Sequence, residues 1–387
     1  MTPNWRSYGE CRSEAMPNTH VLTIGNANTE TVIRIARPLS PGSKVRCQGV
    51  FDGIGGSALN WCYWLHSTGT KVHLLCPLGD DDRGNKIRQR LSEAGIESSI
   101  LPRHQGTTGH SFIIVEQAER SVLKEPGTAV RAWIENLFAS LGEIVLHLDS
   151  LATTAAMIGN IDVDSSEFDV TPRIVKKLRE KGAFLIYANP GLSQYKYCYH
   201  HWAKVWEYIN VFQLSLVEAR RFVGQSRRCE ACCTHLGMQE SLDEPSLADI
   251  IGWFEAAGTT AIVTLGGGGA VAVVRDYPGK LFFVWPRSPT VSRSRVDPTG
   301  AGDAFGAGFV WHRLTHRGCR QEDYQLALST AGVFSTIACE IVGGTGGFAE
   351  QPNLLDRITA QDLVRFTEIR SFRDSTELLY LLDCRPF

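Results

Sequence analysis

The sequence predicts an α/β protein with one doubly wound, mostly parallel sheet that carries helices on both faces, together with a small separate β-sheet. Short apolar runs such as residues 21–24, 72–76 and 184–188 have the length of buried strands. Helical patterns separate these runs without any repeat period. The chain of 387 residues is 43% hydrophobic, which is sufficient for one large core.

The composition narrows the class of partner. The formal net charge of −2 gives no electrostatic case for nucleic acid or a membrane surface as the main partner. No stretch approaches the ~18 uninterrupted apolar residues of a membrane span, and the amino-terminal residues lack the apolar run of a signal peptide. The 11 cysteines, an odd number, favour reduced thiols over a disulfide framework. We therefore expect a cytoplasmic protein that acts on a small molecule.

The first predicted strand brings polar groups to its carboxyl end. Residues 1–19 have the character of a flexible tail, and residues 21–25 form a short apolar run that predicts a buried strand. Asn28 and Glu30 follow this run. Ligands of open α/β sheets bind at the carboxyl ends of strands, so both side chains are candidate ligand contacts, and a plain polar turn is the alternative.

Two segments predict the small separate sheet. Residues 30–52 alternate loosely between apolar and polar, which is typical of exposed antiparallel strands, and residues 107–125 predict further strands joined as a hairpin. Between them, Gly55 and Gly56 precede a helical segment that contains Asn60. Paired glycines before a helix form either a tight turn or a place where a ligand approaches the backbone closely.

Later strands are predicted to end near further candidate side chains. Residues 144–150 predict a buried strand that ends in the carboxylate of Asp149, and residues 209–218 predict a strand that leads to Glu218. A third strand includes Thr264, and Gly266 opens the run of four glycines that follows it. A hairpin turn is the simplest account of such a glycine run.

Two segments interrupt the alternation of strands and helices. Residues 225–246 are predicted to be an inserted surface loop, and residues 353–387 a carboxyl-terminal extension for which the sequence indicates no function. The loop contains residue types and a Cys-x-x-Cys spacing that suit zinc, namely Cys229, Cys232, Cys233 and His235. No second pair lies nearby in the sequence, so reduced cysteines in a loop are favoured over a structural zinc site.

The most informative stretch is Val296–Phe309, with the sequence VDPTGAGDAFGAGF. Gly300, Ala301 and Gly302 lead directly into an apolar pattern suited to a helix. Small residues at a helix amino terminus let an anion such as phosphate approach unpaired backbone N–H groups. Asp303 follows at once, and a carboxylate there can accept the proton of a hydroxyl that attacks the bound phosphate. The pattern favours phosphoryl transfer to an alcohol, with an ordinary helix start capped by Asp303 as the alternative.

The run from Asp297 to Asp303 resembles the signature of the ribokinase, or PfkB, family of carbohydrate and nucleoside kinases. Gly55, Gly56 and Asn60 resemble the first signature of the same family. The two regions occur in the order that the family shows, which makes a coincidental match improbable.

The resemblance implies one kinase domain over residues 20–352 with a ribokinase-like fold. In that fold, strands within residues 30–52 and 107–125 form a lid over the substrate. Such a lid often supplies a dimer interface, so a homodimer through the lid is also expected. The implied reaction is ATP-dependent phosphorylation of a hydroxyl group of a small sugar, and a nucleoside kinase of the same family is the first alternative.

The resemblance also implies roles for individual residues. Asp303 is the implied catalytic base, and the implied anion hole consists of Gly300, Ala301 and Gly302. The residues implied to hold the acceptor are Asn28, Glu30, Gly55, Gly56, Asn60 and Asp149. The residues implied at the nucleotide are Thr264, Gly266, Glu218, Thr299 and Gly343. Glu218 would organise Mg²⁺ through water, and Asp297 would hold K⁺.

The chain departs from the family pattern at three positions. Glu30 stands where the family has an aspartate, Ser215 where it has an asparagine, and Pro298 is unusual within the signature. These departures motivate a second alternative, a non-catalytic ligand-binding or regulatory protein of the same fold. A dinucleotide oxidoreductase is disfavoured, because no Gly-x-Gly-x-x-Gly follows the first strand.

Overall fold

The computed structural model describes most of the chain from residue 19 onward. The described residues are 19–96, 105–116, 119–149, 153–160, 170–191, 202, 206–236, 238–239, 241–285, 288–292, 295–316, 318–345, 367–372 and 377. The predicted tail of residues 1–19 lies outside this set except for Thr19, which begins the first strand.

The described strands fall into two sheets. In chain order they are β1 (Thr19–Ile24), β2 (Asn28–Ile35), β3 (Cys47–Gly55), β4 (Lys71–Leu75), β5 (Gly109–Glu116), β6 (Glu119–Glu125), β7 (Thr153–Ile158), β8 (Leu185–Ala188), β9 (Val211–Ser215), β10 (Ala261–Thr264), β11 (Ala270–Val273), β12 (Lys280–Val284) and β13 (Thr367–Ser371). The main sheet has the order β13-β12-β11-β10-β9-β8-β7-β1-β4, and the small sheet has the order β3-β2-β5-β6.

Helices cover both faces of the main sheet, as predicted. The described α-helices are α1 (Ser57–Ser67), α2 (Asp82–Glu93), α3 (Ala129–Asp149), α4 (Val170–Glu180), α5 (Leu216–Arg227), α6 (Glu230–Leu236), α7 (Leu247–Ala256), α8 (Ala301–Thr315) and α9 (Gln321–Ala338). One buried core contains side chains of α3, α4, α5 and α7, and a second contains side chains of α1, α2, α8 and α9. A sheet that is buried on both faces needs near-continuous apolar strands, which explains why the strand runs are apolar.

The parallel part of the main sheet positions the candidate site. Strands β4, β1, β7, β8, β9 and β10 pair in parallel, so their carboxyl ends meet at one edge. At that edge Ser215 ends β9 and is in register with Thr264, which ends β10. Strands β11, β12 and β13 extend the sheet in antiparallel pairs away from this region.

The small sheet consists of the two segments predicted as lid strands, joined by a pairing that was not predicted. Strand β2 pairs antiparallel with β3, and β5 pairs antiparallel with β6, but β2 pairs in parallel with β5. The antiparallel strands predicted within residues 30–52 and the hairpin predicted within residues 107–125 are therefore both confirmed, whereas the parallel pairing of β2 with β5 was not predicted. Loose alternation of apolar and polar residues identifies a half-exposed strand but does not specify the direction of its neighbour.

The prediction that Asp149 ends a buried strand was wrong. This residue ends helix α3 instead of a strand, and the next strand, β7, begins at Thr153. The apolar run at residues 144–150 continues a helical pattern in which the buried Trp133, Leu137 and Leu141 recur every four residues. Periodicity in a short apolar window does not separate a strand from a buried helix segment, which is the reason for the error.

The segment predicted as an inserted loop is partly helical. Helix α6 lies within it, and Cys232 is 1% exposed and packs in the core beside α5 and α7. The Sγ of Cys233 contacts the carbonyl oxygens of Ser226 and Arg227 at 3.8 and 3.6 Å. Burial of these thiols provides a packing reason for the cysteines, and the described residues contain no group of three or more potential metal ligands.

The carboxyl-terminal extension contributes to the main sheet. Its strand β13 pairs with β12 from Lys280 to Val284, and the following Phe372 is buried. The extension, which the sequence left without a role, therefore covers one edge of the sheet.

Among the described helices, none combines the length and apolar composition required to cross a bilayer.

Candidate active site

The loop before helix α8 leads into a helix amino terminus, as predicted. Gly300 is the amino-terminal cap of α8 and has a left-handed backbone with φ of 77°, which glycine adopts without steric cost. A Cβ at this position would lie 3.0 Å from the Cα of Gly344 in the facing loop. The N–H of Ala301 donates to the carbonyl oxygen of Pro298 at 3.2 Å, so in this geometry one predicted anion-hole donor is used within the loop.

Asp303 lies in the first turn of α8 and is held by Asn60 of helix α1. The Asn60 Nδ2 donates to Asp303 Oδ2 at 2.6 Å, across 243 residues of sequence. Burial raises the pKa of Asp303, while the Asn60 hydrogen bond and the charge of Arg120 oppose the rise. The raised pKa of Asp303 is closer to the pKa of a base that works at neutral pH. The Asn60 Oδ1 is buried and has no hydrogen-bond partner among the described residues, so it can accept a hydrogen bond from a ligand.

Asp297 joins the two loops that face each other across the site. Its side chain is 0% exposed, its Oδ1 accepts the N–H of Thr299, and its Oδ2 accepts the N–H of Gly343, both at 2.9 Å. The Thr299 Oγ1 is buried without a hydrogen-bond partner among the described residues. The signature loop and the Gly343 loop are therefore held together by a buried carboxylate.

Glu30 connects the lid to the loop that contains Gly343 and Gly344. Its side chain is 6% exposed, and its Oε2 accepts the N–H of Gly344 at 3.3 Å. Gly55 provides the space, because a Cβ there would collide with the Glu30 carboxylate. Burial raises the pKa of Glu30 to about 7, with a smaller contribution from the carboxylates of Asp303 and Asp297. The extra methylene relative to an aspartate thus carries the carboxylate to the Gly344 backbone.

Asn28 and Gly56 are two further predicted acceptor residues, and both lie close to Glu30. The Asn28 Nδ2 donates to Ser111 Oγ on strand β5 at 3.0 Å, and the side chain is 4% exposed. Gly56 caps helix α1 with φ of 99°, and a Cβ there would lie 2.5 Å from the carbonyl oxygen of Asn26. A side chain at Gly56 would therefore meet both a strained backbone and a steric clash.

Three of the predicted nucleotide residues, Glu218, Thr264 and Gly266, lie at or just after the ends of β9 and β10, whereas Thr299 and Gly343 lie in the two loops joined by Asp297. Ser215 caps helix α5 in a capping box with Glu218, whose Oε2 accepts the Ser215 N–H at 2.7 Å and the Ser215 hydroxyl at 2.8 Å. Burial raises the pKa of Glu218, and the Asp303 carboxylate contributes to the rise. Thr264 lies beside Ser215 in the sheet, and Gly266 opens a short 3₁₀ turn with φ of 58°.

Two residues that the sequence reasoning missed support the first turn of α8. The Gln213 Nε2 donates to the carbonyl oxygen of Gly302 at 3.0 Å, and the Tyr187 hydroxyl donates to Gln213 Oε1. Gln213 is 1% exposed in an otherwise apolar strand, VFQLS. A single polar side chain within a buried strand was the sequence signal that would have identified it.

Comparisons with known proteins identify the family of the chain. The family model described as "pfkB family carbohydrate kinase" matches residues 18–347. The ribokinase of Mus musculus is 22% identical over 299 residues, which cover 76% of this chain and 81% of that protein.

Solved structures show the same fold. A nucleoside kinase of Burkholderia thailandensis in complex with inosine superposes with a TM-score of 0.60 at 16% identity, covering 84% of this chain and 92% of that one. A ribokinase from Cryptococcus neoformans var. grubii serotype A in complex with ADP has a TM-score of 0.60 at 18% identity, covering 88% of this chain and 98% of that one. At these identities the structural likeness shows the fold alone.

Proposed function

Because the chain belongs to the pfkB family of carbohydrate kinases, we propose that it catalyses the ATP-dependent phosphorylation of a hydroxyl group of a small sugar. One observation carries the proposal. The carboxylate of Asp303 lies at the amino terminus of helix α8, directly after the left-handed Gly300, and is oriented by Asn60 at 2.6 Å. A base and an anion-binding helix terminus therefore adjoin each other, as phosphoryl transfer to an alcohol requires.

In the proposed reaction, Asp303 accepts the proton of the acceptor hydroxyl. The acceptor oxygen forms a bond to the γ-phosphorus of ATP, the bond from that phosphorus to the β,γ-bridging oxygen breaks, and ADP leaves with the bonding electrons. Backbone N–H groups of the Gly300–Gly302 loop donate to the phosphoryl oxygens as charge develops on them. The raised pKa of Asp303 supports the role of base, because its proton affinity is closer to that needed at neutral pH.

The acceptor is proposed to bind between the lid and helix α1. The unpartnered Asn60 Oδ1 would accept a hydroxyl hydrogen bond, and Asn28 and Glu30 place further polar groups on the opposite side. Gly55 leaves the space that the Glu30 carboxylate occupies, and Gly56 lets the start of helix α1 pass close to the Asn26 carbonyl and the Asn28 side chain. A compact polyol suits this arrangement because each of its hydroxyls can both donate and accept a hydrogen bond.

The nucleotide is proposed to lie along the ends of β9 and β10, near Thr264 and Gly266. The ADP complex of the ribokinase from Cryptococcus neoformans supports a nucleotide donor. The residues present fit Mg²⁺ held through water: the Glu218 Oε2 is used in the capping box, while Oε1 has no partner among the described residues. When bound, Mg²⁺ would neutralise phosphate charge.

Asp297 and Thr299 fit a monovalent cation such as K⁺. Asp297 is a fully buried carboxylate with no cationic side chain within 4.0 Å among the described residues, and the Thr299 hydroxyl beside it lacks a partner. A buried charge of this kind is stabilised by a counter-ion. K⁺ would supply that counter-charge, and the two loops joined by Asp297 would be held more firmly.

A nucleoside is the second candidate acceptor. Strand β3 places Phe51 in register with Val32, on the same side of the lid as Glu30, and its ring is 44% exposed. An exposed aromatic ring on the cleft side can stack on a nucleobase. The nucleoside kinase of Burkholderia thailandensis, solved with inosine, has the same fold.

The outer face of the lid is proposed to form a homodimer. Val50, Phe112 and Leu123 lie on that face and are 58%, 40% and 61% exposed. Exposed apolar side chains grouped on one face of a sheet indicate a contact surface.

We place the protein in the cytoplasm, where ATP is available and thiols are reduced.

The test is a coupled ADP-release assay with ATP, Mg²⁺ and K⁺ across a panel of sugars and nucleosides, with Asp303→Asn as the variant. We expect turnover with one class of acceptor and a loss of roughly 10²- to 10⁴-fold in the variant, because an amide cannot accept the proton. ADP affinity measured by calorimetry should stay unchanged. A variant that retains most of the turnover would refute the role of Asp303, and an inactive wild-type protein that binds ADP would favour the non-catalytic alternative.

A further inference from the structure

A cavity lies at the amino ends of the central strands of the main sheet. Its volume is about 320 Å³, near the lower end of the range for small-molecule pockets. It is lined by Leu185 and Val211, which begin β8 and β9, and by Thr260, which directly precedes β10. The proposed active site lies at the carboxyl ends of the same parallel strands. The cavity and that site are therefore on opposite edges of the sheet.

The two edges are far enough apart for separate ligands to bind. Strand β9 runs from Val211 at the cavity to Ser215 in the nucleotide region, a distance of about 13 Å at ~3.3 Å per residue. Helix α8 carries Asp303 in its first turn and Arg313 in its last turn, about 15 Å apart at ~1.5 Å per residue. A ligand in the cavity would therefore leave the proposed catalytic groups uncovered.

Two guanidinium groups line the cavity. Arg275 is exposed, and its Nε donates to the carbonyl oxygen of Gly258 at 2.7 Å, while its two terminal nitrogens have no hydrogen-bond partner among the described residues. Arg313 lies over the ring of Tyr324, with its guanidinium carbon 4.5 Å from the ring centroid, and its Nη1 donates to the carbonyl oxygen of Gly318. In the described part of the chain, neither guanidinium has a carboxylate within 4.0 Å.

A third arginine adds positive charge beside the cavity. The Arg179 guanidinium donates to oxygens that carry no formal charge, namely the carbonyl oxygens of Ala183, Phe184 and Tyr208 and the Oδ1 of Asn210. Burial lowers the pKa of Arg179, and the charge of Arg275 lowers it further. Cations that repel one another in this way are stabilised by an anion bound between or beside them.

The remaining polar groups of the lining leave an excess of hydrogen-bond donors. Asn210 accepts two hydrogen bonds through its Oδ1, so its Nδ2 is left as a donor. Asp276 is the single carboxylate among the described lining residues, and its Oδ2 accepts the Tyr324 hydroxyl at 3.0 Å. Asp323 does not line the cavity and is paired with Arg320 at 3.4 Å. Two guanidinium groups against one carboxylate give the lining a net positive charge.

The cavity also offers apolar surface and limited space. Leu185 and Val211 are buried at its base, and the side chain of Phe184 beside them is 38% exposed. A ring or hydrocarbon group can pack against these side chains. The volume of about 320 Å³ equals that of roughly ten water molecules. This space suits a small organic molecule better than a nucleotide.

We propose that this cavity is a second ligand site, which binds a small organic oxyanion. Its carboxylate or phosphate head lies against Arg275 and Arg313, and its apolar part packs on Phe184 and Val211. A guanidinium presents paired N–H donors, and both kinds of head accept them as charge-assisted hydrogen bonds. The site uses none of the residues of the proposed catalytic centre, so the proposal does not depend on the proposed function.

The first experiment locates the ligand by thiol protection. Cys319 lines the cavity and is exposed, and Cys47 on the lid is an exposed control in the same molecule. Mass spectrometry measures the rate at which iodoacetamide alkylates each thiol of the full chain, with phenyl phosphate, benzoate or the neutral benzyl alcohol present at equal ionic strength. With a probe at about ten times its Kd, mass action slows alkylation of a fully covered thiol by about elevenfold. We expect an anionic probe to slow alkylation of Cys319 severalfold and to leave Cys47 unchanged.

The second experiment measures the contribution of one guanidinium by calorimetry with the same probes. We expect Arg275→Gln to raise the Kd of the anionic probe by roughly tenfold, the loss of a charge-assisted hydrogen bond. The matched control is Arg37→Gln, because Arg37 is also exposed and donates to one backbone carbonyl, that of Lys44 at 3.1 Å. It should change the Kd by less than about twofold. Arg275→Lys keeps the charge and should give an intermediate Kd, which excludes a folding defect.

The head group that binds more tightly identifies the ligand as a phosphate monoester or a carboxylate. Benzyl alcohol should bind at least about tenfold more weakly than that probe, because it has no charge. Saturating ADP should displace neither anionic probe, since the sites lie on opposite edges of the sheet.

Three results would each overturn the proposal: displacement of the probe by ADP, equal Kd values in Arg275→Gln and Arg37→Gln, or alkylation of Cys319 that neither anionic probe slows. A protein that binds the probe in the cavity but phosphorylates no acceptor would refute the proposed function and leave this site standing.

Discussion

The two halves of the proposed site are built in different ways. In the acceptor half, defined by Glu30, Asn60, Asp297 and Asp303, the contacts join distant parts of the chain. Asn60 meets Asp303 across 243 residues, and Glu30 meets the Gly344 N–H across 314. In the nucleotide half, defined by Ser215, Glu218 and Thr264, the central contact is a capping box between residues three apart.

The difference shows which half is formed before ligands bind. Asp297 and Glu30 are at most 6% exposed; Asp297 accepts the backbone N–H groups of Thr299 and Gly343, and Glu30 accepts that of Gly344. Such a network is costly to open, because every group left without a partner pays a desolvation penalty. The capping box of Ser215 and Glu218 organises only one helix terminus. We infer that the acceptor half is preorganised, whereas the nucleotide half is completed by the nucleotide and its metal.

The strongest test of this comparison is Asp297→Ala. The substitution removes the acceptor of two buried backbone N–H groups, those of Thr299 and Gly343. Each buried N–H without a partner costs ~1–3 kcal/mol, so we expect the free energy of unfolding to fall by about 4 kcal/mol. Urea denaturation measures the change. Asp297→Asn keeps one carbonyl acceptor and should lose about half as much, and equal losses in the two variants would contradict the account.

A pH-dependent measurement tests the preorganisation at Glu30. The folded-state pKa of about 7 lies above the ordinary value of 4.5, so the folded protein binds this proton more tightly than the unfolded chain. The stability contribution is therefore fully present below about pH 4.5 and is lost as the pH rises through about 7. Glutamine stays neutral throughout. We expect the free energy of unfolding of Glu30→Gln, relative to that of the wild-type protein, to rise by about 2 to 3 kcal/mol between pH 4.5 and pH 8. Urea denaturation at both pH values measures this difference. A difference that does not change with pH would show that Glu30 is not buried as described.

The smallest expected effect is in the nucleotide half. Ser215→Ala removes the capping hydroxyl of α5 and should cost about 1 kcal/mol of unfolding free energy, the usual loss for such a cap. Ser215→Asn keeps a capping side chain and restores the residue type of the family pattern. We expect it to change stability by less than about 0.5 kcal/mol and to leave ADP affinity the same or tighter by calorimetry. If Ser215→Ala were as destabilising as Asp297→Ala, the contrast between the two halves would be wrong.

The parts of the fold that the sequence predicted depend on local rules. The apolar runs that became β1, β4 and β8 are short and bounded by glycine or polar residues, and the start of α8 follows from small residues before an apolar helical pattern. The errors occur where local patterns are degenerate. The apolar run before Asp149 suited a strand and a helix equally, and the segment predicted as an inserted loop contains helix α6.

The sequence by itself determined the class of fold and the helix start at the Asp297–Asp303 stretch, and it predicted an anion site there, because small residues at a helix terminus and a following carboxylate are neighbours in the chain. The tertiary structure decided how that stretch is supported. It placed Gln213 under the first turn of α8, joined Asp297 to the Gly343 loop, and brought Arg120 from the lid to Pro298. Such contacts connect residues that are tens to hundreds of positions apart, and their partners are set by how the sheets and helices pack, which no local pattern specifies.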